Sequence, residues 1–192
     1  MNHSIFALEL CLRLEPGSHL RDELHQLVMS HPATTTPGRK WELLRSVAEL
    51  LAENEDLYEM GCWDFFDTDA KALSDYDMWS NGMITEEGAR ELPSGVPDRY
   101  GNEPRFMTFT IALLLMAETK CERELSQLCA TPEDQLWKKA TFVRILRGLT
   151  VVNFAFVKSD VLYLIPGEES WGLTVDDLKL PKFEYLRKIE KR

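Results

Sequence analysis

The segment Phe106 to Ala117 most constrains the fold of this chain. Phe106, Thr108 and Thr110 lead into a continuous apolar run that begins at Ile111. Such a run is typical of a strand buried inside a protein. It is far shorter than the ~20 residues needed to cross a bilayer. We therefore expect a sheet that other elements of the chain cover.

A second strand is predicted over residues 4–14. Large apolar side chains alternate there with smaller or charged ones, among them Glu9 and Arg13. A period of two predicts a strand with one buried face. Because leucine is not a strong strand former and four of these residues are leucine, a helix is the competing interpretation.

Start and stop signals indicate several helices. Pro16-Gly17 ends the first strand, and Ser18 then resembles an N-cap. Thr36 and Pro37 predict a helix over residues 37–54. Thr131-Pro132 predicts another, through about Arg147. A short helical piece is expected from Thr85 until Pro93 ends it.

The end of the chain is expected to contain more strand. Thr150–Val157 and Asp160–Ile165 are both rich in β-branched and aromatic residues. Lys158-Ser159-Asp160 between them suggests a hairpin turn, although one long bent strand is the alternative. Thr174–Asp177 resembles a further helix start, and the tail, residues 179–192, is expected to be a solvated, helix-like end.

Together these elements predict a single α+β domain over residues 1–192. A length of 192 residues corresponds to about one domain. Strands and helices follow one another without βαβ alternation, which favours one small sheet of three to four strands packed with helices. The loop 93–104 is the best candidate for an internal boundary.

Charge and cysteine usage restrict the classes of partner. The net charge is −10, which opposes binding to a nucleic-acid backbone or to an anionic membrane. The start, Met1 to Ser4, has no positive n-region. The four cysteines, which have no metal-ligand spacing, are expected to be reduced structural thiols. They are Cys11, Cys62, Cys121 and Cys129. We therefore predict no cofactor and a cytoplasmic location.

The acidic-aromatic segment, residues 53–79, carries nine acidic side chains and one basic one, Lys71. It also holds six of the nineteen aromatic residues. Either the rings are buried and the acids point outward, or the segment forms a groove for a basic peptide or amine. The candidate binding residues are Trp63, Asp64, Phe65, Phe66, Asp67, Asp69, Tyr76 and Trp79.

Asp64, Asp67 and Asp69 suggest two kinds of metal chemistry. A calcium loop starting at Asp67 would need Gly and Glu where Ala72 and Met78 stand. The D-x-D arrangement of phosphoryl-transfer enzymes would need a buried apolar strand directly before it. We therefore assign no catalytic residue and no metal ligand from the sequence.

Several fragments, in order, resemble a domain family of unknown function, DUF1517, best represented in cyanobacterial and chloroplast proteins. The fragments are Thr34–Gly38, Leu43–Leu51, Tyr58–Trp63, Gly101–Glu103, Phe109–Glu118, Val161–Pro166 and Leu173–Leu178. This chain has Tyr163-Leu164-Ile165 where the family usually has a tryptophan-threonine pair. The resemblance implies a single α+β domain and no known enzyme class. The family has no assigned catalytic residues, so none is transferred.

The leading functional hypothesis is a non-enzymatic protein-interaction module that uses the acidic-aromatic segment, with a protein partner or in a homodimer. One alternative is a metal-dependent hydrolase or phosphoryl-transfer enzyme using Asp64, Asp67 and Asp69. Another is a small-ligand-binding domain with a pocket between sheet and helices.

Overall fold

The computed structural model describes residues 2–30, 35–84, 103–166 and 172–190, with the side chains of 82–84 excepted. Its centre is one antiparallel sheet with the strand order β4-β3-β1-β2-β5. The strands are β1 (His3–Leu14), β2 (Tyr58–Phe66), β3 (Arg105–Met116), β4 (Val157–Ile165) and β5 (Arg187–Lys188). The α+β class is confirmed, but within the described residues the sheet has five strands instead of the three or four predicted.

Helices cover both faces of this sheet. The helices of the described residues are α1 (Leu20–Met29), α2 (Pro37–Glu53), α3 (Asp69–Ile84), α4 (Lys120–Cys129) and α5 (Lys139–Gly148). Side chains of α1, α2, α4 and α5 share the main core with Phe6, Leu8 and Leu10. The opposite face is covered by α3 and by the C-terminal segment, residues 173–190.

Strand β1 is buried on both faces, which corrects the prediction of one buried face. Its even-numbered side chains enter the main core, while Ile5 and Ala7 pack under α3 and Cys11 packs under the C-terminal segment. On the second face, Ala7, Glu9 and Cys11 are small or charged. In the sequence they therefore resemble the solvent-exposed side of a strand. Both faces of β1 are covered because helices pack on one side of the sheet and α3 with the C-terminal segment packs on the other.

Strand β2 lies inside the acidic-aromatic segment, where the sequence analysis places no strand. Acidic residues and glycine are poor strand formers, so the local signal is weak. The strand is stabilised by its pairing with β1 rather than by the propensity of its own residues. Residues Phe66 to Tyr58 run antiparallel to Ile5 to Leu12. This strand and β5 account for the difference in strand number.

The hairpin predicted around Lys158-Ser159-Asp160 is wrong, since these residues lie within β4. Their polar side chains are used in contacts with helices. The hydroxyl of Tyr76 donates a hydrogen bond to Ser159 Oγ at 2.7 Å, and Asp160 pairs with Lys40 of α2. Polar residues here therefore mark attachment points of helices rather than a turn.

The helix predicted after Thr131-Pro132 begins later than expected. That cap signal opens only a 3-10 turn, Glu133–Gln135, and α5 starts at Lys139. In contrast, the helix predicted over residues 37–54 is confirmed, because α2 spans Pro37–Glu53 with Thr36 Oγ1 accepting from the Arg39 amide.

The basic tail is not helix-like. It forms the 3-10 turns Asp177–Lys179 and Pro181–Phe183 and then β5. Phe183, Leu186 and Ile189 are all buried. The six basic side chains conceal these widely spaced apolar anchors in the sequence.

Two further predictions fall on other parts of the chain. The short helix expected from Thr85, and most of the loop 93–104, lie outside the described residues. Among the helices that the structure does describe, no segment is both long and apolar enough to cross a membrane.

Candidate functional site

The aromatic residues of β2 face two different sides of the sheet. Trp63 and Phe65 lie opposite Leu8 and Phe6 and are half-buried against the main core. Phe66 lies on the α3 side. Adjacent rings on a strand point in opposite directions, so these three do not line one groove.

Tyr76 and Trp79 belong to the inner face of α3. Each is 8% exposed, and both pack on the sheet. The rings of Trp79 and Tyr185 pack edge to face, with their centroids 5.6 Å apart. These two candidate binding residues therefore help to hold α3 on the sheet.

The three aspartates are used in three different ways. Asp64 Oδ1 accepts a hydrogen bond from the Phe65 amide at 2.9 Å, and burial is the main cause of the raised pKa of Asp64. Asp69 Oδ1 accepts from the His3 amide at 2.8 Å and lies 2.8 Å from His3 Nδ1, and this hydrogen bonding lowers the pKa of Asp69. Asp67 is exposed. Among the described residues, no three His, Cys, Asp or Glu side chains lie together as a metal site.

The outer edge of β2 is only partly paired. Strand β5 pairs with Met60 and Gly61, and the Ile189 amide donates to the Glu59 carbonyl at 3.0 Å. Backbone groups of alternate residues point the same way in an antiparallel strand. Those of Trp63 and Phe65 therefore point away from β1, and no strand of the described residues pairs with them. We call residues 62–66 the open edge.

Acidic side chains surround the open edge. Trp63 Nε1 donates to the Leu136 carbonyl at 3.1 Å, which brings the turn Glu133–Gln135 close to the strand. The side chains of this turn are exposed. On the other face, Lys71 lies 3.7 Å from the Phe66 ring centroid, but it also pairs with Asp75 at 2.7 Å. Lys71 is thus already paired with an acid, and Arg187 of β5 lies opposite Gly61 at the end of the open edge.

A second site lies on the α3 side of the sheet, where Glu9 is only 1% exposed. The Tyr185 hydroxyl donates a hydrogen bond to Glu9 Oε2 at 2.7 Å. Thr110 lies directly opposite Glu9 in β3, and Thr108 lies two residues away on the same face. We call Glu9, Thr108, Thr110 and Tyr185 the Glu9 cluster.

Burial dominates the chemistry of the Glu9 cluster. It raises the pKa of Glu9, although Tyr185, Thr108, Thr110 and the charge of Lys182 all act to lower it. The threonine hydroxyls act on Glu9 as hydrogen-bond donors. Among the described residues their geometry is less favourable than that of the Tyr185 contact, which is the close one at 2.7 Å. Sequence reasoning did not identify this cluster, although an acid inside an apolar alternation was its visible signal.

Comparisons with protein-family models, with curated proteins and with solved structures found no match for this chain. The resemblance to the DUF1517 family therefore stays a prediction.

Proposed function

We propose that this chain is a non-enzymatic protein-interaction module that binds an extended, basic segment of a partner protein along the open edge of β2. The observation that carries the proposal is the row of backbone groups at Trp63 and Phe65 that no strand of the described residues pairs with. An incoming strand would add to the sheet by pairing with the backbone of Trp63 and with the Phe65 carbonyl. The Phe65 amide already donates to Asp64 Oδ1 at 2.9 Å, so it would have to exchange that acceptor for the incoming strand.

The rings beside the open edge give such a strand something to pack on. Trp63 and Phe65 on one face and Phe66 on the other are half-buried, so each retains apolar surface that a partner could cover. Strand addition gains affinity from backbone hydrogen bonds and specificity from alternate side chains. A partner with apolar residues at alternate positions would cover the Trp63 and Phe65 rings on one face and place its basic side chains on the opposite face, the one that Asp64 shares.

Charge favours a basic partner over a second copy of this chain. Two copies joined through β2 would bring Asp64 and Asp67 of each copy near one another, and like charges opposed across strands are destabilising. The net charge of −10 adds general repulsion between copies. A basic segment instead gains attraction from Asp64, Asp67 and the acidic turn Glu133–Gln135.

The same charge supports a protein partner rather than nucleic acid or an anionic membrane surface. The four cysteines are free thiols, and burial raises the pKa of Cys62 to about 11 and that of Cys129 to about 12. Reduced, unreactive thiols support the proposed cytoplasmic location. The hydrolase alternative has weaker support, since Asp64 and Asp69 already hold backbone amides.

The test is a titration of the isotope-labelled protein with an octapeptide of alternating lysine and valine, followed by NMR. We expect the amide signals of Trp63 and its strand neighbours to shift most, and the affinity to fall as salt is added. The same peptide with N-methyl groups on alternate amides should not bind, because it cannot complete the ladder. Equal binding of both peptides would overturn the proposal.

Charge-removing variants test whether the attraction for the peptide comes from the open edge or from the net charge of the whole chain. Asp64→Asn with Asp67→Asn should weaken the lysine-valine peptide about 3–10-fold, through loss of about 1 kcal/mol. The matched control is Asp22→Asn with Glu23→Gln on the exposed side of α1, which removes the same charge elsewhere. If both double variants weaken binding equally, the attraction is not located at β2.

A further inference from the structure

The outer side of strand β4, at the other end of the sheet from β2 and β5, has no strand paired with it among the described residues. On its inner side, β4 pairs with β3 from Ser159 to Ile165 in regular register. The register shift of this pair lies beyond Ser159, next to Lys158. We call the regular part of this strand, residues 159–165, the β4 edge. It is longer than the open edge of β2.

The direction of the backbone groups along β4 follows from a contact of β3. Phe106 and Leu173 exchange both backbone hydrogen bonds, at 2.7 and 2.9 Å, on the side of β3 that faces away from β1. Alternate residues of β3, such as Thr110, therefore direct their backbone groups toward β4, and Tyr163 is the partner of Thr110. The residues of the β4 edge between these partners have backbone groups that point outward: Asp160, Leu162 and Leu164.

The side chains of the β4 edge are held by the helices of the same chain. Asp160, the one acidic or basic residue of 159–165, pairs with Lys40 of α2, and its side chain is 15% exposed. The Tyr163 hydroxyl donates to the Trp79 carbonyl at 3.2 Å. A charge protects a free edge only when it stands in the path of an incoming strand. Because Asp160 is held by α2, the strand is ordered and its edge lacks this protection.

Charge decides what would cover this edge. The acids around the open edge of β2 attract a basic segment, whereas the one acid of the β4 edge is already neutralised by Lys40. A contact between two copies requires a surface that matches itself about a two-fold axis. The β4 edge does so about Leu162, because Asp160 of each copy then faces Leu164 of the other. We propose that two copies of this chain pair antiparallel through the β4 edge and join their sheets into one.

The register about Leu162 pairs every outward backbone group of the β4 edge. Asp160 exchanges hydrogen bonds with Leu164 of the second copy, and Leu162 does so with its own counterpart. A register about Val161 would instead place Leu164 opposite Lys158, where the strand is irregular. A register about Asp160 would oppose two carboxylates, which is destabilising. Leu162 is half-buried against the main core, so its exposed part would pack on its counterpart at the axis.

The dimer and the peptide complex of β2 should respond to salt in opposite directions. Each copy carries a net charge of −10, so general repulsion opposes the dimer and added salt screens it. The basic peptide is attracted by the same charge, and salt weakens it. The two edges lie at opposite ends of the sheet, so either proposal can fail without the other.

The experiment is sedimentation equilibrium of the whole chain from about 1 µM to about 300 µM, at low and high salt. We expect conversion from one chain to two as the concentration rises, with tighter association at high salt. NMR of a mixture of isotope-labelled and unlabelled chains locates the contact. The Hα protons of Val161 and Tyr163 point outward and should show a nuclear Overhauser effect between copies. A single chain at every concentration, or a dimer without this effect, would overturn the proposal.

Variants provide a second test. Leu162→Lys should weaken the dimer at least about 10-fold, because two lysines would face each other at the axis. Met78→Lys is the matched control, since Met78 is 62% exposed on α3, and it should dimerise at least as tightly as the wild type. Circular dichroism verifies that each variant is folded, and if Leu162→Lys does not fold, the effect between Val161 and Tyr163 decides. A folded Leu162→Lys protein with unchanged association would contradict the assignment.

Discussion

The Tyr185 hydroxyl lies 2.7 Å from Glu9 Oε2 and joins residues 176 positions apart in the chain. Glu9 lies on the central strand β1, and Tyr185 lies in the C-terminal segment. The contact thus attaches the end of the described chain to the centre of the sheet. It stands beside the buried anchors Phe183 and Leu186, which supply the apolar part of the same attachment.

Removal of this hydroxyl by Tyr185→Phe should destabilise the fold by about 1–2 kcal/mol, because a buried carboxyl oxygen loses its donor. The Tyr185 hydrogen bond lowers the pKa of Glu9, so the loss should be larger at high pH, where Glu9 is ionised. Denaturant unfolding at several pH values measures this. In a Glu9→Gln background the cost should no longer grow with pH, and a growth that persists would contradict the assignment.

Glu9→Gln should raise the stability at neutral pH. The pKa of Glu9 is raised above its ordinary value of 4.5 by burial. Below pH 4.5 the carboxyl is protonated in both the folded and unfolded states, so there is no penalty. As the pH rises to the folded pKa, only the unfolded chain releases its proton, and stability falls.

The Gln variant lacks this fall, so the difference between the two proteins should grow with pH and then level off. Thermal unfolding between pH 4 and pH 9 measures the curve. A wild-type protein that becomes more stable than the variant as the pH rises would contradict the burial of an uncompensated carboxyl.

Asp69→Asn should weaken the attachment of α3 to the start of β1. Hydrogen bonding from His3 lowers the pKa of Asp69 below 3.8, so the carboxylate stabilises the fold above that pH. This contribution is lost as the pH falls through the folded pKa. The variant should therefore be less stable at pH 7 and should approach the wild type under acid conditions.

Amide exchange in the first turn of α3 gives the local measurement and should be faster in the variant. Asp77→Asn is the matched control, since Asp77 is an exposed acid of the same helix. Equal exchange in both variants would show that the His3 contact does not hold α3.

Gly61→Ala should cost about 1–3 kcal/mol by overpacking. An added Cβ would lie 2.7 Å from Phe142 Cε1, 3.0 Å from Ile189 Cδ1 and 3.1 Å from the Glu9 carbonyl oxygen. Gly38→Ala is the control, because nothing lies within 4 Å of its added Cβ; it should be neutral or stabilise by up to about 1 kcal/mol. Chemical denaturation compares the two, and equal effects would contradict the packing at Gly61.

Local signals were sufficient where the chain determines its own conformation. The cap at Thr36 and the proline after it located α2, and the apolar run after Phe106 located β3. Both signals act through neighbouring residues, so a sequence displays them directly. The same holds for β1, whose alternation is complete even though its second face was misassigned.

Long-range pairing explains what the sequence concealed. Strand β2 forms because Phe66 to Tyr58 pair with β1, and β5 forms because a basic tail carries Phe183, Leu186 and Ile189 into buried positions. The Glu9 cluster likewise depends on Tyr185, which reaches Glu9 only in the folded chain. The positions of the candidate site residues also depend on the fold. Tyr76 and Trp79 are buried, while Trp63 and Phe65 lie at an edge that only the sheet topology reveals.

The most direct measurement is NMR of the protein bound to the lysine-valine octapeptide, with observation of backbone-to-backbone nuclear Overhauser effects between the two chains. Strand addition predicts contacts from the peptide backbone to the backbone protons of Trp63 and Phe65, in the regular alternation of a paired strand. Contacts confined to side chains of α3, or the absence of any contact to β2, would contradict the proposed interaction edge.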